Sequence, residues 1–188
     1  MQNLNTIIEM WVIRDYDNLS SEESQMDRKK FIQFLQQLNY PHYKQYEPQN
    51  DINFYAYRFH FGKSIQTTQI SKKLLQSYYN AKIPLVFPHI LISTWSLWYT
   101  ILWEVYEWKG SKYSYSPRFT WISKQSAEEQ NFAKEIFAYA ETNHMQYFTH
   151  EQDRIIPNSG PLKPWIDTDD LTISDILFQG APTLYNVV

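Results

Sequence analysis

Glu104 and Glu107 stand three residues apart at the end of a long apolar stretch. On one helix face their carboxylates would converge. With Thr100 and a histidine they could share acid–base work or supply half of a metal site. No His-Glu-x-x-His or Glu-x-x-His spacing accompanies them, so the pattern specifies no metal. A solvated helix edge, or pairing with Arg58 or Arg118, is the simpler expectation. The histidines are His42, His60, His89, His144 and His150, and no two are four residues apart. His60 stands out because it shares a strand face with Arg58. Arg58, His60, Glu104 and Glu107, with Trp and Tyr side chains from 95–121, define one candidate: a small-molecule pocket of convergent polar groups in an aromatic lining.

A second constellation is Trp165 with Asp167, Asp169 and Asp170. The aspartates lack the spacing and glycine of a calcium loop. Capping of the following helix accounts for them. They also set a large aromatic anchor beside three carboxylates on a proline-stiffened loop, which suits a basic protein partner.

Other motifs dissolve on inspection. Phe61-Gly62-Lys63-Ser64 lies between a strand and a helix, as a phosphate loop would. That loop needs a glycine five positions before Gly62, where Tyr57 stands. No Gly-x-Ser-x-Gly nucleophile elbow occurs. Tyr55, Tyr57, Phe59 and Phe61 alternate along one strand face like a base-stacking platform, but only Arg58 and Lys63 supply positive charge nearby. A sheet face covered by a helix is expected instead. No catalytic residue and no cofactor is specified.

Composition narrows the classes further. The 188 residues contain no cysteine, which excludes disulfide scaffolds, thiolate metal sites and a cysteine nucleophile. A net charge of −3 disfavours a broad basic face for nucleic acid. Only 4 glycines are present, where ordinary usage of ~7% would give about 13. Aromatic residues are in surplus, with 15 Tyr, 11 Phe and 7 Trp. The bias toward Asn, Gln, Lys, Ile and Tyr points to an AT-rich bacterial or phage genome. The opening Met1-Gln2-Asn3-Leu4-Asn5 shows neither region of a signal peptide, so a cytoplasmic location is expected.

The elements carrying these groups follow from periodicity. Residues 6–16 read as a strand, being too densely apolar for one helix face. Phe31, Phe34, Leu35 and Leu38 mark a helix opened by a Ser20/Glu23 capping box. Extended segments are expected at 42–46 and 52–61, and a short helix near 70–78. Residues 83–103 hold no Asp, Glu, Lys or Arg. Within and beyond that run Ser93, Ser96, Thr100, Glu104 and Glu107 fall in an arc of roughly 80° on a helical wheel. The spacing predicts a largely buried central helix at about 89–108, not a membrane span. A half-buried strand is expected at 112–122, a helix capped by Ser126 and Glu129, a strand at 145–149, a short helix at 171–178 and a last strand at 183–188.

The fold class expected is α+β: one domain over 1–188, with a mixed or antiparallel sheet and about five helices. The functional expectation is a non-catalytic cytosolic binding protein of the immunity or antidote type. It would neutralise a partner protein, basic in character, with no role for nucleic acid or membrane. The alternative is a small-molecule enzyme or ligand-binding domain using the aromatic pocket.

Overall fold

Over its described part, residues 85–103, the uncharged run folds as a pair of strands, not as a helix. The computed structural model describes residues 3–12, 22–49, 53–61, 85–106, 117–121, 126–156 and 171–179, with Lys73, Gln76, Ser77, Asn80 and Ala181. In chain order the elements are α1 (Leu4–Val12), α2 (Glu22–Gln37), β1 (His42–Tyr46), β2 (Phe54–Phe59), β3 (Leu85–Ser93) and β4 (Trp98–Tyr106). Then come β5 (Arg118–Thr120), α3 (Ala127–Thr142), β6 (Gln146–Tyr147), a 3₁₀ turn at His150–Gln152, β7 (Ile155–Ile156), β8 (Leu171–Thr172) and α4 (Ile173–Leu177).

The main sheet has the order β1-β2-β3-β4-β5, every neighbouring pair antiparallel. β6 joins it parallel to the first residues of β4. β7 and β8 form a separate two-stranded ribbon. The α+β class with a mostly antiparallel sheet is as expected, and four α-helices are described against about five anticipated.

Two expectations need correction. Over its described part, the central helix expected at about 89–108 is the β3–β4 hairpin, with pairs running from Leu85↔Tyr106 to Ile92↔Tyr99 around a turn at 94–97. Every residue of both strands is buried. Strands covered on both faces read as continuous apolar runs with no alternation to betray them. The strand expected at 6–16 is helix α1 over its described part. Ile7 and Trp11, four apart, are its buried residues, while Leu4, Ile8 and Met10 pack at the margin of the same core. The helix near 70–78 falls mostly outside the described residues, although Lys73, Gln76 and Ser77 are helical. The Ser20 box and the final strand at 183–188 also fall outside them. Of the strand expected at 112–122, residues 117–121 are described and 118–120 are extended.

Helices cover the sheet on both sides. On one face Phe31 and Leu35 of α2, Leu38 just beyond it, and Phe132, Ile136 and Ala140 of α3 pack on Tyr57, Phe59, Ile90, Tyr99 and Trp103. The aromatic face of β2 is therefore core, as expected. Phe34 of α2 and Tyr139 of α3 stack with ring centroids 3.8 Å apart, joining the two helices. On the other face α1 and α4 pack on Phe54, Ala56, Leu91 and Leu102. Asn53 ties α4 to the sheet: its side chain donates to the Ile176 carbonyl at 3.0 Å and accepts from the Gln179 N–H, and its own carbonyl accepts from Thr94.

The start of α3 matches its sequence signature. Ser126 Oγ accepts from the Glu129 N–H at 3.2 Å and donates to the Glu129 carboxylate at 2.9 Å. Ser126→Ala is expected to lower stability by about 1 kcal/mol in urea titration, the usual worth of such a cap. An unchanged midpoint would show that this cap carries no weight.

Candidate functional site

Alternation along β2 sends Phe54, Ala56, Arg58 and His60 to one face of the sheet. The first two meet the core under α1 and α4. Register then brings chemistry to the other two. His89 of β3 lies opposite Arg58, and Phe87 of β3 lies opposite Glu104 of β4. Residues directly opposite share a face, so Arg58, His60, Phe87, His89 and Glu104 gather on one side.

Arg58 Nε lies 2.7 Å from Glu104 Oε2 as an ion pair. His89 Nε2 is 2.8 Å from the same oxygen, and the Tyr106 hydroxyl donates to Oε1 at 2.7 Å. The Arg58 guanidinium sits 4.1 Å from the centroid of the Phe87 ring, a cation–π contact. His60 meets the same ring edge-on at 5.1 Å, and Phe119 of β5 meets His89 at 5.5 Å. Arg58 is 4% exposed, His60 2%, His89 1% and Glu104 6%.

Burial works against charge on every member. It pushes the Glu104 carboxyl up, but the His89 and Tyr106 hydrogen bonds and the Arg58 charge outweigh it, so the group titrates below its ordinary range. Burial pulls His89 below its ordinary value despite the carboxylate beside it. Burial, then the Arg58 charge, pulls His60 down to about 4. Near neutrality the cluster is one carboxylate and one guanidinium with two neutral imidazoles. Since Glu104 accepts, His89 Nε2 carries the ring proton.

A carboxylate that orients an imidazole is half of a general-base device. Here, however, both Glu104 oxygens are engaged and the rings are sealed from solvent. The group braces β2, β3 and β4 across their hydrogen-bonded ladders. Pairing of Glu104 with Arg58 was one of the expectations from sequence; the helix face that was to present Glu104 and Glu107 together is not formed. Glu107 lies outside the described residues. So do Trp165, Asp167, Asp169 and Asp170. Among the described residues no group of three or more His, Asp or Glu could hold a metal ion. No described helix is long and apolar enough to cross a membrane.

The expected pocket is also divided. Trp103 and Tyr99 point to the α2/α3 side of the sheet, away from Arg58, His60 and Glu104. Trp95 stacks on Trp11 at 4.7 Å, on the α1 side. The aromatic lining is thus split: Tyr99 and Trp103 lie on the face opposite the polar groups, whereas Trp95 and Tyr106 share theirs.

An open concavity does exist on the α2/α3 side. Ile101 and Trp103 of β4, Ala133 and Phe137 of α3, and Trp121 and Tyr147 line it around about 250 Å³. The small side chain of Ala133, one turn before Phe137, makes the notch. Thr149, His150 and Glu151 stand at its rim. A shallower shelf of about 540 Å³ shares Ala133 and Phe137 and runs along α3 past Lys134 to Glu141. Phe137 is 39% exposed and meets the Tyr147 ring at 4.8 Å. Burial and the nearby Glu151 push the Tyr147 phenol up to about 12, so it stays a neutral donor. Hydrogen bonding at Thr149 and to backbone holds the Glu151 carboxyl below its ordinary value. Reasoning from sequence named Trp103 and Trp121 only within a range and missed Phe137, Tyr147 and Glu151. Phe137 carried a signal, since it sits beside the buried stripe Phe132–Ile136–Ala140 and cannot share it fully.

No protein-family model matches the chain, and no curated protein or solved structure matches it.

Proposed function

We propose that this is a non-catalytic binding protein of the cytoplasm, of the immunity or antidote type, that neutralises a basic partner protein. One observation carries the reading. The ionisable groups best placed for chemistry, Arg58, His89 and Glu104, are spent on one another in the interior, whereas the concave outer surface at α3 is aromatic with acidic flanks. A closed ion pair holds a fold together, while an exposed aromatic notch beside carboxylates suits an interface.

Co-expression with the polypeptide encoded immediately upstream tests it. The expected result is growth arrest by that polypeptide alone, rescue by this chain, and a stable stoichiometric complex on size-exclusion chromatography. Absence of both rescue and complex, with both proteins folded, sinks the antidote reading.

The second reading, a small-molecule enzyme or ligand-binding domain, rests on the Glu104–His89 hydrogen bond. It requires the cluster to open to solvent. Deuterium exchange at the His89 ring C2 position measures that opening, and a rate near that of free histidine would favour this second reading.

A further inference from the structure

We infer that the notch between α3 and the Tyr147–Glu151 segment receives an arginine side chain from an extended segment of the partner protein. This rests on the binding-protein reading and names the chemistry of its site.

The notch itself is small for a whole ligand. Small-molecule sites occupy roughly 300–1,000 Å³. A notch of about 250 Å³ falls just below that range and holds one long side chain. The shelf that continues it along α3 is open and shallow, a path for the backbone that carries such a side chain.

Charge selects the side chain. Glu151 stands at the rim of the notch, and Glu129 and Glu141 line the shelf against one lysine, Lys134, among the described residues. Glu129 is engaged by Ser126, so Glu151 and Glu141 are the carboxylates that face solvent. His150 Nδ1 lies 3.7 Å from Glu151 Oε1, with both side chains well exposed. The lining therefore offers negative charge at its edge and aromatic surface within.

Shape separates arginine from lysine. Phe137, Tyr147 and Trp121 bound the notch, and a planar guanidinium stacks on aromatic faces as an ammonium cannot. Its alkyl stem covers apolar floor while its head reaches the Glu151 carboxylate, where a forked donor meets two oxygens.

The test uses blocked pentapeptides of glycine and leucine with arginine, citrulline or glutamate at the centre. They are titrated into the intact protein and followed by the indole N–H signals of Trp103 and Trp121 in NMR spectra. The arginine peptide is expected to shift these signals saturably, with affinity that falls as salt is raised. Citrulline should bind at least tenfold more weakly and glutamate not at all. Glu151→Lys should weaken the arginine peptide at least tenfold with only a small drop in melting temperature, because Glu151 is exposed and its hydrogen bonding at Thr149 lies outside the core. Phe137→Ser should weaken it likewise, with some loss of melting temperature because the ring also packs on Tyr147. Equal binding of citrulline and arginine, indifference to Glu151→Lys, or no saturable shift up to the solubility of the peptide overturns the assignment. If an antidote complex forms but hydrogen exchange leaves 133–151 unprotected, the notch falls and the binding reading stands. If the peptide binds as described but no complex forms with the upstream polypeptide, the notch stands and the antidote reading falls.

Discussion

Glu104→Ala is expected to destabilise the protein by about 3–5 kcal/mol, a large share of the ~5–15 kcal/mol that holds a typical domain folded. The loss comes less from the missing attraction than from what remains. Arg58, 4% exposed, would keep its full charge in the sheet interior with its nearest carboxylate gone. His89 and Tyr106 would lose the acceptor they now share through its two oxygens. Replacing both partners has a different outcome. Arg58→Met combined with Glu104→Leu removes charge and counter-charge together, and buried pairs exchanged for apolar side chains of similar volume are often neutral or stabilising. Urea titration of Arg58→Met alone, Glu104→Leu alone and the double variant forms the cycle. The double variant should be more stable than Glu104→Ala alone. A double variant that loses the sum of the two single losses would show that the ion pair contributes nothing through coupling.

This pair also shows what could be read from the sequence and what could not. Arg58 with His60 on one strand face was legible, because β2 alternates and is bounded by turn residues. Glu104 was legible as a partner for Arg58, although its element was misassigned. Thr100 and Glu104 are four apart, and four is an even number, so a strand places them on one face as readily as a helix does. Ser93 and Ser96 completed the apparent stripe only because Ser93 ends β3 and Ser96 lies within the turn at 94–97. Pro88 reinforced the error, since proline suits a first helical turn and is rare within sheets. It is tolerated because it lies beyond the last described β2–β3 pair, Arg58↔His89, where β2 no longer pairs with β3. The β-branched and aromatic content of 85–106 was the signal that favoured strands. His89 then follows from register alone, as the residue opposite Arg58. The notch beside α3 could not be read at all, because it depends on a small side chain, Ala133, meeting segments distant in sequence.

The location of the histidines leads to an expectation about acid. Stability should begin to fall as pH drops below about 6.5, well before most carboxylates titrate. His60 has a folded value of about 4 against 6.5 for the free side chain. Between those limits the unfolded chain binds a proton that the folded chain does not, so stability rises with pH across this window. The contribution is complete above 6.5 and is lost toward pH 4. It amounts to at most about 3–4 kcal/mol, since each tenfold change in proton affinity is worth about 1.4 kcal/mol. His89 is displaced in the same direction by its burial and adds to the slope. Glu104 acts in a lower window. Its folded value lies below the ordinary 4.5, so its contribution is present above 4.5 and is lost only as pH falls further. Urea midpoints at pH 7.5, 6.5, 5.5 and 4.5 measure the slope. His60→Phe keeps a ring against Phe87 and removes the titrating group, so its stability should fall less steeply between 6.5 and 4.5. A parent protein equally stable at pH 7.5 and 4.5, or a His60→Phe variant with an unaltered slope, would show that His60 takes up its proton in the folded state. The sealed cluster on the α1 side of the sheet would then be open to water.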